Sequence, residues 1–410
     1  MNVLIVSTHD QQGGAAIAAY RLLKALNKKG VTADMLTIEK KSDNPNVIEV
    51  GNRLLNRIRF ISERGVIYVQ NSFSQKNLFD ISIANTGVSV TNHQAFKKAD
   101  VIHLHWINQG ILSVKEIGKI VTSGKKIVWT MHDMWSFTGI CHHARKCRLF
   151  ESGCGMCPYL NSPSPYDISY ATYLRKQAAY SLGKINFVAC SEWLKKLALK
   201  SKLTKNHKVS AIPNPIDITH YQPKDKVELR KMMGLPADKK IVLFAAAKVS
   251  DKRKGIDYLI EASEIIAQQK GNNFMFLIAG GDSKELISKL SLPALSMGYV
   301  ASDQMTNLYN AADLFVIPSL QENLPNTIME AMACGTPCVG FDIGGVPEMI
   351  DHKVNGYIAN YKDAKDLACG LIWVLNEDEH QLPKNARQKV IDNYSEDKIA
   401  TQYIDIYNIK

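Results

Sequence analysis

The stretch "DLFVIPSLQENLPNTIMEAMACGTPCVGF" (residues 313–341) contains two short, almost wholly apolar runs, DLFVIP (313–318) and PCVGF (337–341), with a helix-length segment between them. Short apolar runs of this kind are strands buried on both faces, the habit of parallel sheets. Parallel strands need a crossover, usually a helix. IVLFAAA (241–247) and FMFLIAG (274–280) repeat the pattern upstream. The N-terminal half alternates in the same way. NVLIVS (2–7) precedes a helix from about Ala15 to Asn27, on which Ile17, Tyr20, Leu23 and Leu26 recur at helical spacing. VTADMLTI, ADVIHLH (99–105), KKIVWTM (125–131) and INFVAC (185–190) are further strands, and Ser191 caps the helix that follows the last. The Pro-rich IPNPIDITHYQP (212–223) breaks the alternation and reads as a linker.

A chain of 410 residues exceeds one ordinary core. The expected fold is α/β: two Rossmann-like domains, 1–215 and 216–392, facing a cleft. A C-terminal helix, 393–410, is expected to pack back on the first domain. Ligands of such sheets bind beyond the carboxyl ends of the strands. Composition agrees with a soluble globular protein, at 46% hydrophobic and 22% charged residues. MNVLIVSTHD lacks a basic leader, so the expected compartment is the cytoplasm. Charge is uneven: 29 Lys and Arg face 13 Asp and Glu up to Pro215, against 21 and 26 beyond it. A basic domain suits an anionic partner or simply a solvated surface. RLLNRIRFISERG (53–65) is a basic amphipathic helix with Leu54, Ile58 and Ile61 on one face. Packing of that face on the domain core is the expectation; peripheral contact with the inner face of a membrane is the other reading.

The loop and helix inside the opening stretch carry the chemistry. Pro325 suits a helix's first turn. The backbone N–H groups of Asn326 and Thr327 then stand at the positive end of the helix dipole, where anions bind. Glu322 before the helix and Glu330 on its second turn flank the same place. Carboxylates repel phosphate, so these two suit sugar hydroxyls while the amides take the phosphates.

With its two glutamates separated by seven residues, ENLPNTIME resembles the E-x7-E signature of retaining glycosyltransferases, and residues 317–350 resemble family 4 (group 1) enzymes of the GT-B fold. The resemblance covers nearly the whole chain: QGGAA, TMHD, ACSEWLKK, AIPNPID, KRKGIDYLIEA and MGYV match family segments in order. It implies a hexosyltransferase-type enzyme, retaining and independent of a divalent metal in catalysis. The donor would be a UDP- or GDP-sugar. The acceptor would be a glycan or lipid-linked glycan, in surface polysaccharide biosynthesis. Carried onto this chain, Glu322 would hold the donor sugar and Glu330 the ribose. Leu324, Asn326 and Thr327 would offer amides to the diphosphate, with Lys254 neutralising it. Gly13 and Gly14 would form the glycine loop, Gly14 allowing close approach of the phosphates. His132 would bond to the sugar near the reacting carbon, and Tyr299 and Val300 would read the base.

Two positions depart from the family pattern. Val249 stands where members carry an Arg, leaving Lys248 or Arg253 to supply the second positive charge. Asn323 stands where a Gly follows the first Glu. A sugar-nucleotide epimerase of the same fold is the alternative, although no carboxylate pair is placed for proton abstraction. A zinc-containing nucleic-acid-binding protein is a third reading. It lacks stacking aromatics and leaves residues 319–350 unexplained, so nucleic acid is not an expected partner.

An insertion at about 135–165 holds Cys141, Cys147, Cys154 and Cys157, spaced C-x5-C-x6-C-x2-C. Four thiolates would close a tetrahedral shell and leave no open position, so a structural zinc is expected rather than a catalytic one. An iron–sulfur cluster and four reduced thiols are the other readings. His103 and His105, in HLHW, sit at a strand end and are read as pointing toward the cleft.

Overall fold

Alternation of apolar side chains between two faces builds the first sheet. On β1 (Asn2–Val6), Val3 and Ile5 enter one cluster with Leu22, Leu23 and Leu26 of the helix Gly14–Lys28. Leu4 and Val6 enter another, around Trp129 and Trp135. The computed structural model describes residues 1–269, 273–301, 304–376 and 381–408. They form two units, Met1–Pro215 with the segment from Ile399, and Ile216–Lys398.

In the first unit β2 (Thr32–Thr37), β3 (Val47–Glu49), β4 (Val101–Leu104), β5 (Lys126–Met131), β6 (Asn186–Ala189) and β7 (Lys208–Ala211) join β1 in a parallel sheet of order β3-β2-β1-β4-β5-β6-β7. The second unit has β8 (Lys240–Lys248), β9 (Phe274–Gly281), β10 (Ala294–Gly298), β11 (Leu314–Ile317), β12 (Cys338–Phe341) and β13 (Gly356–Ala359), in the order β10-β9-β8-β11-β12-β13. Both are doubly wound. Strand order reverses between β1 and β4 and between β8 and β11, where such sheets open a ligand crevice. Strands β3, β7, β10 and β13 are absent from the sequence reading. They are three to five residues long and lack an apolar run.

Two helices end the described chain, and the one expected from residue 393 begins at Glu396. The first, Gln381–Tyr394, belongs to the second unit. The second, Glu396–Asn408, carries Tyr403 and Tyr407 into the Val3 and Ile5 cluster. Tyr407 Oη lies 2.6 Å from His103 Nδ1, and Tyr403 Oη lies 2.8 Å from Thr130 Oγ1. Lys126 Nζ donates to the carbonyls of Ile406 and Tyr407 at the helix end, where a cation meets the negative pole of the dipole.

The helix Arg53–Gln70 reverses the expected packing. Leu54, Ile58 and Ile61 are 66, 51 and 55% exposed, while Asn56, Glu63, Arg64 and Ile67 are buried. The buried polar face finds most of its partners in residues 78–84. Glu63 Oε1 accepts from Ile83 N at 2.7 Å and Ala84 N at 2.8 Å. Its other oxygen meets Arg64 Nη2 at 2.9 Å, and Arg64 Nη1 donates to Ile81 O at 2.8 Å. Asn56 Nδ2 donates to Val50 O. The segment 78–84 thus clamps the helix by its charged side.

Glu63→Ala strips two amides and a buried guanidinium of their acceptor. It is expected to cost about 3–5 kcal/mol in denaturant unfolding. A loss below about 1 kcal/mol, the range of a surface pair, would contradict the buried clamp.

Candidate active site

At the switch point of the second sheet, the loops after β8 and β11 are drawn together. After β8 the chain makes a turn, Lys252–Lys254, with Asp251 Oδ1 accepting from Arg253 N at 2.9 Å. It then crosses the end of β11 at Gly255. With φ +71°, a Cβ at Gly255 would lie 1.7 Å from Pro318 O, so only glycine passes here. Leu320 N donates to Arg253 O at 2.8 Å and joins the two loops. The crossing sets Lys254 Nζ 2.7 Å from Glu322 Oε1. The Glu322 loop is closed from the other side by the turn after β12. A Cβ at Gly344 would come 1.9 Å from Glu322 O, and Gly345 N donates to Asn323 O at 2.7 Å. Sequence reasoning missed both Gly255 and Gly344 as positioning residues; the signal lay in KG and IGG.

The helix Asn326–Ala333 starts directly after this loop, with Pro325 as its cap residue at ψ 120° rather than inside its first turn. Asn323 and Leu324 are buried, whereas Asn326 and Thr327 are partly exposed at the helix start. Glu330 is buried, and its Oε2 accepts from Tyr309 Oη at 2.9 Å. Burial pushes the Tyr309 phenol well above its usual range. Tyr309 is a partner that the sequence reading did not contain.

The other donor-side residues divide. Val249 is a fully buried core residue. Arg253 is clasped by Asp251, Nη2 to Oδ2 at 2.8 Å. Lys248, at the end of β8, is exposed and 3.9 Å from Asp282. Lys254 is therefore the cation that the structure sets against Glu322. Tyr299, 80% exposed, and Val300 follow the edge strand β10, two strands from β8.

In the first unit, Gly13 after β1 sits at φ +88°, a conformation that favours glycine. No atom would lie within 4 Å of a Cβ on Gly13, so backbone conformation alone selects it. Gly14 opens the helix behind it. Loops after β4, β5 and β6 converge on His132. Its Nε2 lies 2.9 Å from His105 Nδ1, and its Nδ1 lies 3.4 Å from Cys190 Sγ. Burial pushes the His132 imidazole down to about 4, with Asp133 opposing, and holds His105 well below its usual range. Both rings are thus neutral at neutral pH. Buried His105 Nε2 has no hydrogen-bond partner among the described residues. His103, read as a strand-end residue near the cleft, is instead buried between Thr130 and Tyr407.

Asp133 ties this turn to the cysteine loop. Its Oδ2 accepts from Trp106 Nε1 at 2.8 Å and meets His142 Nδ1 at 2.7 Å, and its Oδ1 accepts from Trp135 N at 2.8 Å. Burial opposes ionisation, yet His142, His143 and the Trp135 amide hold this carboxyl well below the usual range. Fully buried Lys176 donates to Trp135 O and Thr138 O, with its ammonium 3.3 Å from the centre of the Trp135 ring. The four cysteines Cys141, Cys147, Cys154 and Cys157 line one cavity of about 10 Å³. Gly139 N donates to Cys154 Sγ at 3.2 Å. Burial pushes the Cys154 thiol up to about 11 and Cys157 to about 12. Among the described residues, no three His, Cys, Asp or Glu side chains are arranged to hold a metal ion. The thiols share a cavity but do not form a closed shell.

Residues 12–220 match the model of Glycosyltransferase Family 4, and residues 225–392 that of Glycosyl transferases group 1. The chain is 27% identical to an uncharacterized glycosyltransferase of Methanocaldococcus jannaschii, over 82% of this chain and 90% of that one. It is 34% identical to the N,N'-diacetylbacillosaminyl-diphospho-undecaprenol alpha-1,3-N-acetylgalactosaminyltransferase of Campylobacter jejuni, over 46% of this chain and 50% of that one. HepE of Anabaena, solved in complex with UDP-glucose, shares the GT-B fold at 18% identity, with a TM-score of 0.63 over 99% of each chain. The family model covering residues 12–220 spans half of the sequence, and the chain belongs to glycosyltransferase family 4.

Proposed function

We propose that the chain is a retaining glycosyltransferase that moves a sugar from a UDP- or GDP-sugar to a glycan or lipid-linked glycan acceptor in surface polysaccharide assembly. The Lys254–Glu322 pair beside the start of the helix Asn326–Ala333 carries this reading. An ammonium and a helix start suit a diphosphate; a carboxylate on the same spot suits sugar hydroxyls. When a diphosphate arrives, Lys254 turns to it and Glu322 is released to the sugar. Tyr309 fixes the orientation of the Glu330 carboxylate for the ribose hydroxyls. The relatives support the donor and acceptor classes: HepE was solved with UDP-glucose, and the name of the Campylobacter jejuni enzyme specifies a diphospho-undecaprenol acceptor.

The hard step is departure of the diphosphate with an oxocarbenium-like centre left behind. Positive charge and amide dipoles aimed at the leaving group stabilise that charge as it develops. A phosphate oxygen takes the acceptor's proton on the same face, and the configuration is retained without a protein nucleophile. In the first unit, His132 is held neutral by burial and is an uncharged group rather than a cation. His105 and Cys190 fix its ring. The scheme routes no step through a divalent metal.

Glu322→Gln is expected to lower kcat by roughly a hundredfold or more, with an unchanged melting temperature; full activity of this variant would sink the assignment. Transfer is expected to survive brief exposure to a chelator, and immediate loss restored by magnesium would contradict the metal-independent scheme.

The cysteine loop enters the proposal as a structural clamp. Its donor set suits zinc, and its four thiols border one cavity. Binding would require the half-buried Cys147 and Cys154 to close onto the ion and all four protons to leave. Elemental analysis of protein purified without added metal is expected to find about one zinc per chain. Zinc-free protein that melts at the same temperature as zinc-supplemented protein would identify the four thiols as packing residues.

A further inference from the structure

The reversed packing of the helix Arg53–Gln70 leaves an apolar face without a partner. At 100° per residue, Leu54, Leu55, Ile58, Ile61, Val66 and Val69 occupy a continuous arc of about 140°. All six are exposed, by 36 to 66%. Only Ser62 and Gly65 interrupt them, and neither carries charge. Phe73 and Phe79, 67 and 71% exposed, follow the helix; Phe73 packs on Tyr68 at the margin of the arc, and Phe79 stacks on Phe60 on the opposite face. Arg57 and Arg59 border the arc on its two sides, and Lys76 is exposed between the two phenylalanines in sequence. From Val50 to Phe79 the chain has one acidic residue, Glu63, which is buried against Arg64.

We propose that this face docks on an anionic lipid bilayer, with the helix lying in the plane of the interface. A helix with an apolar arc, basic borders and no exposed acid is the form that binds such surfaces. Among the described residues no helix is long and apolar enough to cross a membrane, so contact through this helix is lateral. A second copy of the chain fits less well. A twofold interface must be self-complementary. This patch would bring its arginines against their own copies, with no exposed carboxylate from the same segment to meet them. Lipid phosphates supply the missing anions. The proposal rests on the lipid-linked acceptor reading only for its biological purpose, and its test is scored without turnover.

The test is flotation of the full chain with phosphatidylcholine vesicles, with and without phosphatidylglycerol, for the natural sequence and for the double variant Ile58→Glu, Ile61→Glu. Both positions are exposed, so the variant keeps the fold, checked by its melting temperature. The natural sequence is expected to float with the anionic vesicles, and raised salt to weaken that binding. The variant is expected to bind them at least about tenfold less. Its transfer to a water-soluble acceptor should be unchanged. Absence of flotation, or equal flotation of the variant, would overturn the proposal. So would a dimer in sedimentation that the variant splits without any vesicle binding. Flotation of the natural sequence and its loss in the variant, with no transfer by the natural sequence to a lipid-linked acceptor, would instead support the docking face and count against the acceptor reading alone.

Discussion

A missing side chain holds the candidate donor site together. The chain crosses the end of β11 at Gly255, where a Cβ would sit 1.7 Å from Pro318 O. Any other residue would lift the turn Lys252–Lys254 off the sheet and carry Lys254 away from Glu322. The Glu322 loop depends on the same kind of contact at Gly344. Two backbone crossings too close for a side chain therefore fix an ion pair of 2.7 Å beside a helix start. The doubly wound topology explains why these loops meet, since β8 and β11 are neighbours only at the point where strand order reverses.

In the first unit the candidate site is built from neutral groups. His105, His132 and Cys190 come from loops after three adjacent strands, and burial rather than charge sets their state. Asp133, beside them, turns to His142 and Trp106 and anchors the cysteine loop. The loop thus reaches the His132 turn through His142 and Asp133 rather than through its cysteines. Lys176 holds the same turn from below by two carbonyls and the Trp135 ring.

Much of this was legible in the sequence, because long buried strands and a helix start announce themselves locally. DLFVIP, FMFLIAG and KKIVWTM are strands in place, and Glu322, Lys254 and His132 fall in the loops expected of them. Short edge strands such as VIE (47–49) lacked a periodic signal. The partners of His132 depend on strand order, which no local pattern contains. The helix Arg53–Gln70 was misjudged because amphipathicity says which residues share a face, not which face turns inward. The acceptors and donors that bury Glu63 and Arg64 lie in residues 78–84, beyond the reach of a helical window. His103 was misplaced for a related reason: its partner, Tyr407, is 304 residues away.

The most direct test of the account is calorimetric binding of UDP and of GDP to the natural sequence and to Gly255→Ala. The account predicts that the natural sequence binds one of the two. It predicts a loss of about tenfold or more in the variant, because the added methyl displaces the Lys254 turn. Binding of neither nucleotide by the natural sequence, or equal affinity in a folded variant, would contradict it.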